Sequence, residues 1–288
     1  MTQNSTDPRP GGLTRRPYPI KARVLTVVRT EDLSEDMRRI VLTGDDLEPT
    51  LPFLRLAPSD HIKLLLPDEA TGEIVLPTFG ERGAKRPEGA VLRDYTIRAF
   101  DAEARELTLD FVLHDHGPAG RWAIAAGLGS RVGVLGPRGS TIFPDTFARY
   151  VVGADETALP ATERWIEEAP EGATLDAFVL VEDLARERTL PTHPGLTLRW
   201  LHRSAGDDLA AAVAAAVPSD DGDTFVWVSA EATSLVPLRR HLRDVGLDHD
   251  RTSLHGYWKA GVAGHHDPRG GGDGAGPGAG RGPEAGRD

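Results

Sequence analysis

Cysteine is absent from all 288 residues. That absence excludes disulfides, thiolate zinc sites, cysteine-ligated iron–sulfur clusters and cysteine nucleophiles. Any redox chemistry has to run on a bound organic cofactor or an external partner. Long apolar runs are missing too: the longest are strand-sized segments such as IKLLLP and the alanine-rich DLAAAVAAAV, well short of the roughly 18 residues of a membrane span. The opening MTQNSTDPRPGGLTRRPYPI has no apolar h-region, so no secretory signal is read there and a cytoplasmic protein is expected. No P-loop lysine motif, HExxH, nucleophile elbow or internal repeat occurs. Positive charge is in deficit, and a net charge of −11 would repel a phosphate backbone, which argues against general nucleic-acid binding.

What remains is an ordinary globular composition, 39% hydrophobic and 27% charged, with core enough for about two domains. Residues 1–19 are polar and rich in Pro and Gly, the pattern of a flexible arm. Residues 263–288 are low-complexity and expected to be disordered; a solvated tail is a better reading of His265-His266-Asp267 than a weak metal site. Between these ends the pattern changes once. Residues 20–146 read as six short strands, at 22–30, 37–44, 61–67, 95–100, 106–114 and 131–136, with a helix-like insert at 117–127. Leu107, Leu109, Phe111 and Leu113 alternate with polar or small residues, as in a half-buried antiparallel strand. An antiparallel six-stranded β-barrel is expected. In residues 147–262 strands alternate with helices, which predicts a doubly wound parallel-sheet nucleotide-binding domain. Its first helix, TERWIEEA, should bury Trp165 and Ile166 and expose Glu163, Glu167 and Glu168.

Three stretches carry possible chemistry. In RDYTIRAF (93–100), two arginines and a tyrosine sit on a strand; that suits a phosphate grip and an aromatic stack, or merely a solvated edge. In LHDHGPAGRWA (113–123), Gly117 and Ala119 leave backbone N–H groups open at a helix start, which suits an anion; a capped helix after a Gly/Pro turn accounts for them as well. His114 and His116 point the same way without a third ligand, so no metal site is expected. In VVGADETALPATERW (151–165) a strand runs straight into a helix, where a doubly wound sheet places a dinucleotide, but Asp155, Glu156 and Thr157 replace the usual glycines.

The string RDYTIRAF is similar to the Arg-x-Tyr-Ser/Thr motif of the ferredoxin-reductase-like flavoproteins. MRRIVLTGDDL (37–47), SDHIKLLLP (59–67), DFVLHDHGPAGRWA (110–123), GPRGS (136–140), GADETALPA (153–161), FVWVSAEATSLVPLRRHL (225–242) and GYWKAG (256–261) resemble, in order, the siderophore-interacting proteins, the vibriobactin-utilisation type of ferric-siderophore reductase. The resemblance implies an FAD-binding barrel, an NAD(P)H-binding α/β domain and reduction of siderophore-held Fe(III). Carried over, it implies that Arg93 holds the FAD phosphate, Tyr95 stacks on the flavin and Thr96 hydrogen-bonds near its redox-active edge, the last two being the catalytic pair. His114, Gly117, Ala119 and Trp122 would shape the pyrophosphate and adenine side; Asp155, Glu156, Thr157 and Ala158 would line the nicotinamide approach. Two positions depart from the family. Gly120 replaces a serine and removes a phosphate hydroxyl, and Ala230-Glu231 replaces Gly-Glu and narrows the space near the nicotinamide dinucleotide.

A nicotinamide gives two electrons as hydride and Fe(III) takes one; a flavin does both. Ferric chelates are often anionic, so a basic patch at the flavin edge is expected, with Arg55, Lys63, Lys85, Arg86 and Lys259 as candidates; solvated loop charges are the plainer alternative. Hints about the donor conflict. Glu182-Asp183 ends one strand and suits a ribose 2′-OH, whereas Arg203 and Ser204 end the next and suit a 2′-phosphate. The second position is the one the resemblance favours, so NADPH is expected ahead of NADH unless Arg203 merely pairs with Asp207 or Asp208. The ferric siderophore is the expected partner and a monomer the expected state. The alternatives are a flavin reductase serving a protein such as ferredoxin, and a non-catalytic siderophore or flavin carrier.

Overall fold

The computed structural model describes residues 12–80, 83–85, 87–217, 222–247 and 249–265. Arg86, the first part of the N-terminal arm and most of the C-terminal tail lie outside the described residues. Among the described residues no helix is long and apolar enough to cross a membrane.

The first half contains β1 (Thr14–Pro17), β2 (Ala22–Ser34), β3 (Met37–Thr43), β4 (His61–Leu65), β5 (Thr78–Gly80), β6 (Gly83–Lys85), β7 (Leu92–Thr96), β8 (Ala99–Asp101), β9 (Glu106–Val112), helix α1 (Pro118–Ala125), β10 (Arg131–Leu135) and β11 (Gly139–Ile142). Seven of these strands form one antiparallel sheet in the order β7-β4-β10-β2-β3-β9-β8, one more than expected. The extra strand comes from RDYTIRAF. The amide of Ile97 donates to Asp60 O and that of Arg98 to Thr108 O, so the chain leaves the edge beside β4 and joins the edge beside β9 within two residues. Because consecutive strands form both edges, the sheet curls back on itself. Leu107, Leu109 and Phe111 of β9 fill its interior with Leu25, Ile40 and Ile62. Part of the expected flexible arm is a strand: β1 pairs antiparallel with β11.

The second half contains β12 (Arg149–Asp155), α2 (Leu159–Glu168), β13 (Thr174–Val181), β14 (Leu196–His202), α3 (Leu209–Ala216), β15 (Thr224–Glu231), α4 (Leu235–Asp244) and β16 (Thr252–Trp258), with a parallel sheet in the order β14-β13-β12-β15-β16. Strand periodicity divides the core into two layers. Tyr150, Val152 and Ala154 of β12 pack with Trp165 of α2, while Val151 packs with Val213 of α3 and Leu235 of α4. Gly153 lets α3 come close, since a Cβ there would lie 3.0 Å from Val213 Cγ2.

Helix α2 binds the two halves together, and here one expectation is corrected. Of the three glutamates only Glu167 is exposed: Glu163 is 2% accessible and the Glu168 side chain 14%. Arg98 donates to Glu163 at 2.5 Å, and Arg39 and Arg188 pair with it at 3.4 and 2.5 Å. Arg98 also grips Glu167 with two bonds of 2.9 and 2.6 Å. Next to Glu163, the buried Arg164 donates to Glu168, one turn along, at 2.7 Å and to Leu54 O at 2.7 Å, while Leu56 N donates to Glu168. The helical period is as expected, but the face carrying Glu163 meets the curled sheet instead of water.

Candidate active site between the two halves

Strand β7 pairs with β4 on one side only, so its other edge is open to a ligand among the described residues. Arg93 and Tyr95 share one face of this strand. Arg93 Nη1 donates to Leu92 O at 2.8 Å, leaving other guanidinium donors for an anion. The Tyr95 ring lies 4.3 Å from Phe111, which lies 5.6 Å from Trp122 on α1, a line of aromatic surface leading from the motif to the helix. Burial pushes the Tyr95 phenol pKa up against the opposing Arg93 charge, so the hydroxyl stays protonated.

At the start of α1, Gly117 is the extended N-cap, with no side chain capping the first turn, and Ala119 is buried. A Cβ on Gly120 would fall 2.0 Å from His114 O and 2.8 Å from His114 Nδ1. The missing serine hydroxyl therefore has a steric reason: here His114 folds directly onto the helix. Partial burial and the neighbouring His116 lower the His114 pKa, favouring a neutral ring.

The second half meets this strand through β16. Thr96 is 8% exposed and Ser229 fully buried, and both, with Ser59, act on the Tyr257 phenol of β16. Burial raises the Tyr257 pKa, and those three hydroxyls oppose the rise. Ser59 in turn accepts a bond from Trp227 Nε1 at 3.1 Å. Next to Tyr257, Trp258 donates its indole N–H to Asp155 Oδ2 at 2.7 Å. Asp155 also accepts from Glu231 N at 3.0 Å, Thr157 N at 3.0 Å and the Thr157 hydroxyl at 2.5 Å. Burial, then repulsion from Glu156, raises its carboxyl to about 6. At 1% exposure Asp155 holds β12, β15 and β16 in register but does not present itself to a ligand, and Ala158 lies fully in the core beside it. Glu156, Thr157 and the half-exposed Trp258 form the accessible surface.

The carboxyl ends of three adjacent parallel strands come together beside this surface. Arg203, after β14, forks onto Glu156, after β12, at 3.1 and 2.5 Å. It does not pair with Asp207 or Asp208: Asp207 accepts from His202 N, and Asp208 caps α3 through Ala211 N. Ser204 N donates to Glu182 O, and its side chain is exposed.

The candidate substrate cations divide. Lys63 pairs with Asp94 at 2.6 Å, and Lys85 is exposed on the β5–β6 hairpin. Lys259 is exposed where the chain leaves β16, and five residues later Gly264 reaches Arg93, its Cβ position 3.3 Å from Arg93 Nη1. Arg55 is not brought in: its charge acts on Tyr150, at the opposite end of β12 from Asp155. Sequence reasoning gave no role to Ser59, Ser229, Tyr257 or Trp258, although all four fall in stretches that carry the family resemblance.

A family model described as the siderophore-interacting FAD-binding domain matches residues 26–141, and one described as siderophore-interacting protein matches residues 147–261. An NADPH-dependent ferric-chelate reductase of Escherichia coli is 33% identical over 246 residues, 84% of this chain and 94% of its own. The chain belongs to the siderophore-interacting protein family. The ferric vibriobactin reductase ViuB of Vibrio cholerae is 31% identical over 85% of this chain and 91% of its own. A solved siderophore utilization protein from T. fusca is 42% identical, superposes with a TM-score of 0.81, and is matched over 88% of this chain and 98% of that one. A flavin fits the residues present: an open strand edge, an arginine with donors to spare and a row of rings occur together in the FAD-binding half.

Proposed function

We propose that the protein reduces Fe(III) held by a siderophore, taking electrons from NADPH through bound FAD and releasing Fe(II), and that it does so in the cytoplasm. What supports this reading is the junction of the halves, where Trp227 of β15 donates to Ser59 at 3.1 Å and Thr96 of β7 acts on the Tyr257 phenol of β16, with the flavin motif beside the parallel sheet. We assign FAD to residues 20–146 and the nucleotide to residues 147–262. A bound flavin accepts a hydride and gives up electrons singly, the conversion a cysteine-free chain has no cluster to perform. Arg93 would hold a phosphate by charge-assisted bonds, Tyr95 would lie against the ring system, and Gly117, Ala119, His114 and Trp122 would frame the rest. The Thr96 hydroxyl, and with it that of Tyr257, would donate to or accept from the redox-active edge. Lys63, Lys85 and Lys259, with Arg86, supply positive charge for an anionic chelate on a protein of net −11.

The purified protein is expected to be yellow, to bleach with NADPH and to recover its colour with a ferric siderophore. Arg93→Ala should weaken FAD binding by about tenfold or more. A colourless protein that cannot be reconstituted with FAD would contradict the reading.

A further inference from the structure

The Arg203–Glu156 fork has a consequence for the choice of donor. Three acids surround this guanidinium, one from the end of β12, one from β13 and one buried beneath: Glu156, Glu182 and Asp155. Burial works against the Arg203 charge, and these carboxylates outweigh it. Asp155 is already saturated by Thr157, Glu231 and Trp258. Among the described residues only Glu156 takes the N–H edge of Arg203, with two oxygens on two guanidinium nitrogens. A phosphate monoester would approach with the same bidentate geometry and a charge of about −1.5 to −2 at neutral pH. The side chains of the pair are 29% and 21% exposed, so the fork is reachable from solvent and is not sealed in the core.

We propose that Glu156 is a specificity-determining residue that imitates the 2′-phosphate of the nicotinamide nucleotide and competes with it for Arg203. The inference rests on the nucleotide assignment above, and the pairing with Arg203 moves Glu156 from the nicotinamide approach to the 2′-phosphate side. When the carboxylate holds the arginine, the strand ends present acceptors suited to a free ribose hydroxyl, the NADH pattern. When it turns aside, the cation is released for a 2′-phosphate. The native side chain therefore narrows the gap between NADPH and NADH, and its charge, not its bulk, is responsible. Glu156 is 47 residues from Arg203 in the chain, which is why its part cannot be read from the sequence around Arg203.

The test measures binding, not turnover. The FAD-loaded protein is titrated calorimetrically with 2′,5′-ADP and with 5′-AMP, fragments that differ in the 2′-phosphate. Glu156→Gln, nearly isosteric, should tighten 2′,5′-ADP by about tenfold and leave 5′-AMP within about twofold. Adding Arg203→Ala to that variant should remove the gain; Glu156→Ala replaces Glu156→Gln if the latter folds poorly by circular dichroism. An unchanged ratio of the two affinities, or a gain that survives loss of Arg203, overturns the role of Glu156 alone. Failure of both fragments to bind any folded variant overturns the nucleotide assignment, and this inference with it.

Discussion

Asp60 illustrates how one side chain couples the fold to pH. It is 2% exposed, its backbone carbonyl receives Ile97 N at the crossing from β7 to β8, and its carboxylate accepts from the Ser140 hydroxyl at 2.5 Å. Burial raises its pKa from 3.8 to about 7, against the pull of Ser140 and Arg164. The folded state therefore keeps a proton through this window that the unfolded state has lost. The contribution is full below the unfolded value and is lost as pH rises towards 7. Stability of wild type relative to Asp60→Asn should fall across that window, with a slope of up to about 1.4 kcal/mol per pH unit. Urea titrations of both proteins at pH 5, 6, 7 and 8 measure the difference; a pH-independent difference would show that Asp60 ionises freely. At this scale the strand was legible from alternation, whereas the roles expected of Arg93, Tyr95 and Thr96 came only from the resemblance of RDYTIRAF to a family motif. The Arg203 partner was not legible, because the candidates in sequence were its neighbours Asp207 and Asp208, whereas the sheet brings Glu156 across from two strands away.

Among the elements, α2 depends most on its tertiary setting. The helix was evident from its periodicity, but nothing local distinguishes Glu163 from Glu167: the arginines that bury it come from β3, the β7–β8 link and the segment after β13. Removing Glu163 leaves several buried or half-buried guanidinium groups without their shared acceptor. Glu163→Ala should therefore destabilise the protein by about 3 kcal/mol or more, while Glu163→Gln, which keeps an acceptor oxygen, should cost less. Denaturant midpoints report both, and equal, small effects would mean that the network is not a mainstay of the interface. The same limit explains why YTIRAF read as one strand. Its alternation continues across Ile97 and Arg98, and only Asp60 O and Thr108 O show where the chain changes edges.

Over the whole molecule, the two-layer plan of an antiparallel sheet followed by a parallel one was visible in the change of periodicity near residue 147. How the halves face each other was not, since it rests on Trp227 donating to Ser59 and on the arginines around α2. A net charge of −11 would repel an anionic chelate unless the cleft mouth is locally positive. Lys85→Glu with Lys259→Glu should raise KM for an anionic ferric siderophore several-fold more than for a neutral artificial acceptor, and added salt should shrink the difference. Equal changes for both acceptors would show that these lysines do not steer the chelate. The central claim is electron flow from nicotinamide through FAD to siderophore-bound iron, and anaerobic stopped-flow spectroscopy tests it most directly. FAD-loaded protein is reduced with one equivalent of NADPH, then mixed with a ferric siderophore and a chromogenic Fe(II) chelator. Flavin absorbance should return as the Fe(II) complex forms, two irons for each flavin reoxidised. A flavin that stays reduced in the presence of the ferric siderophore, or reoxidation without Fe(II), would contradict the account.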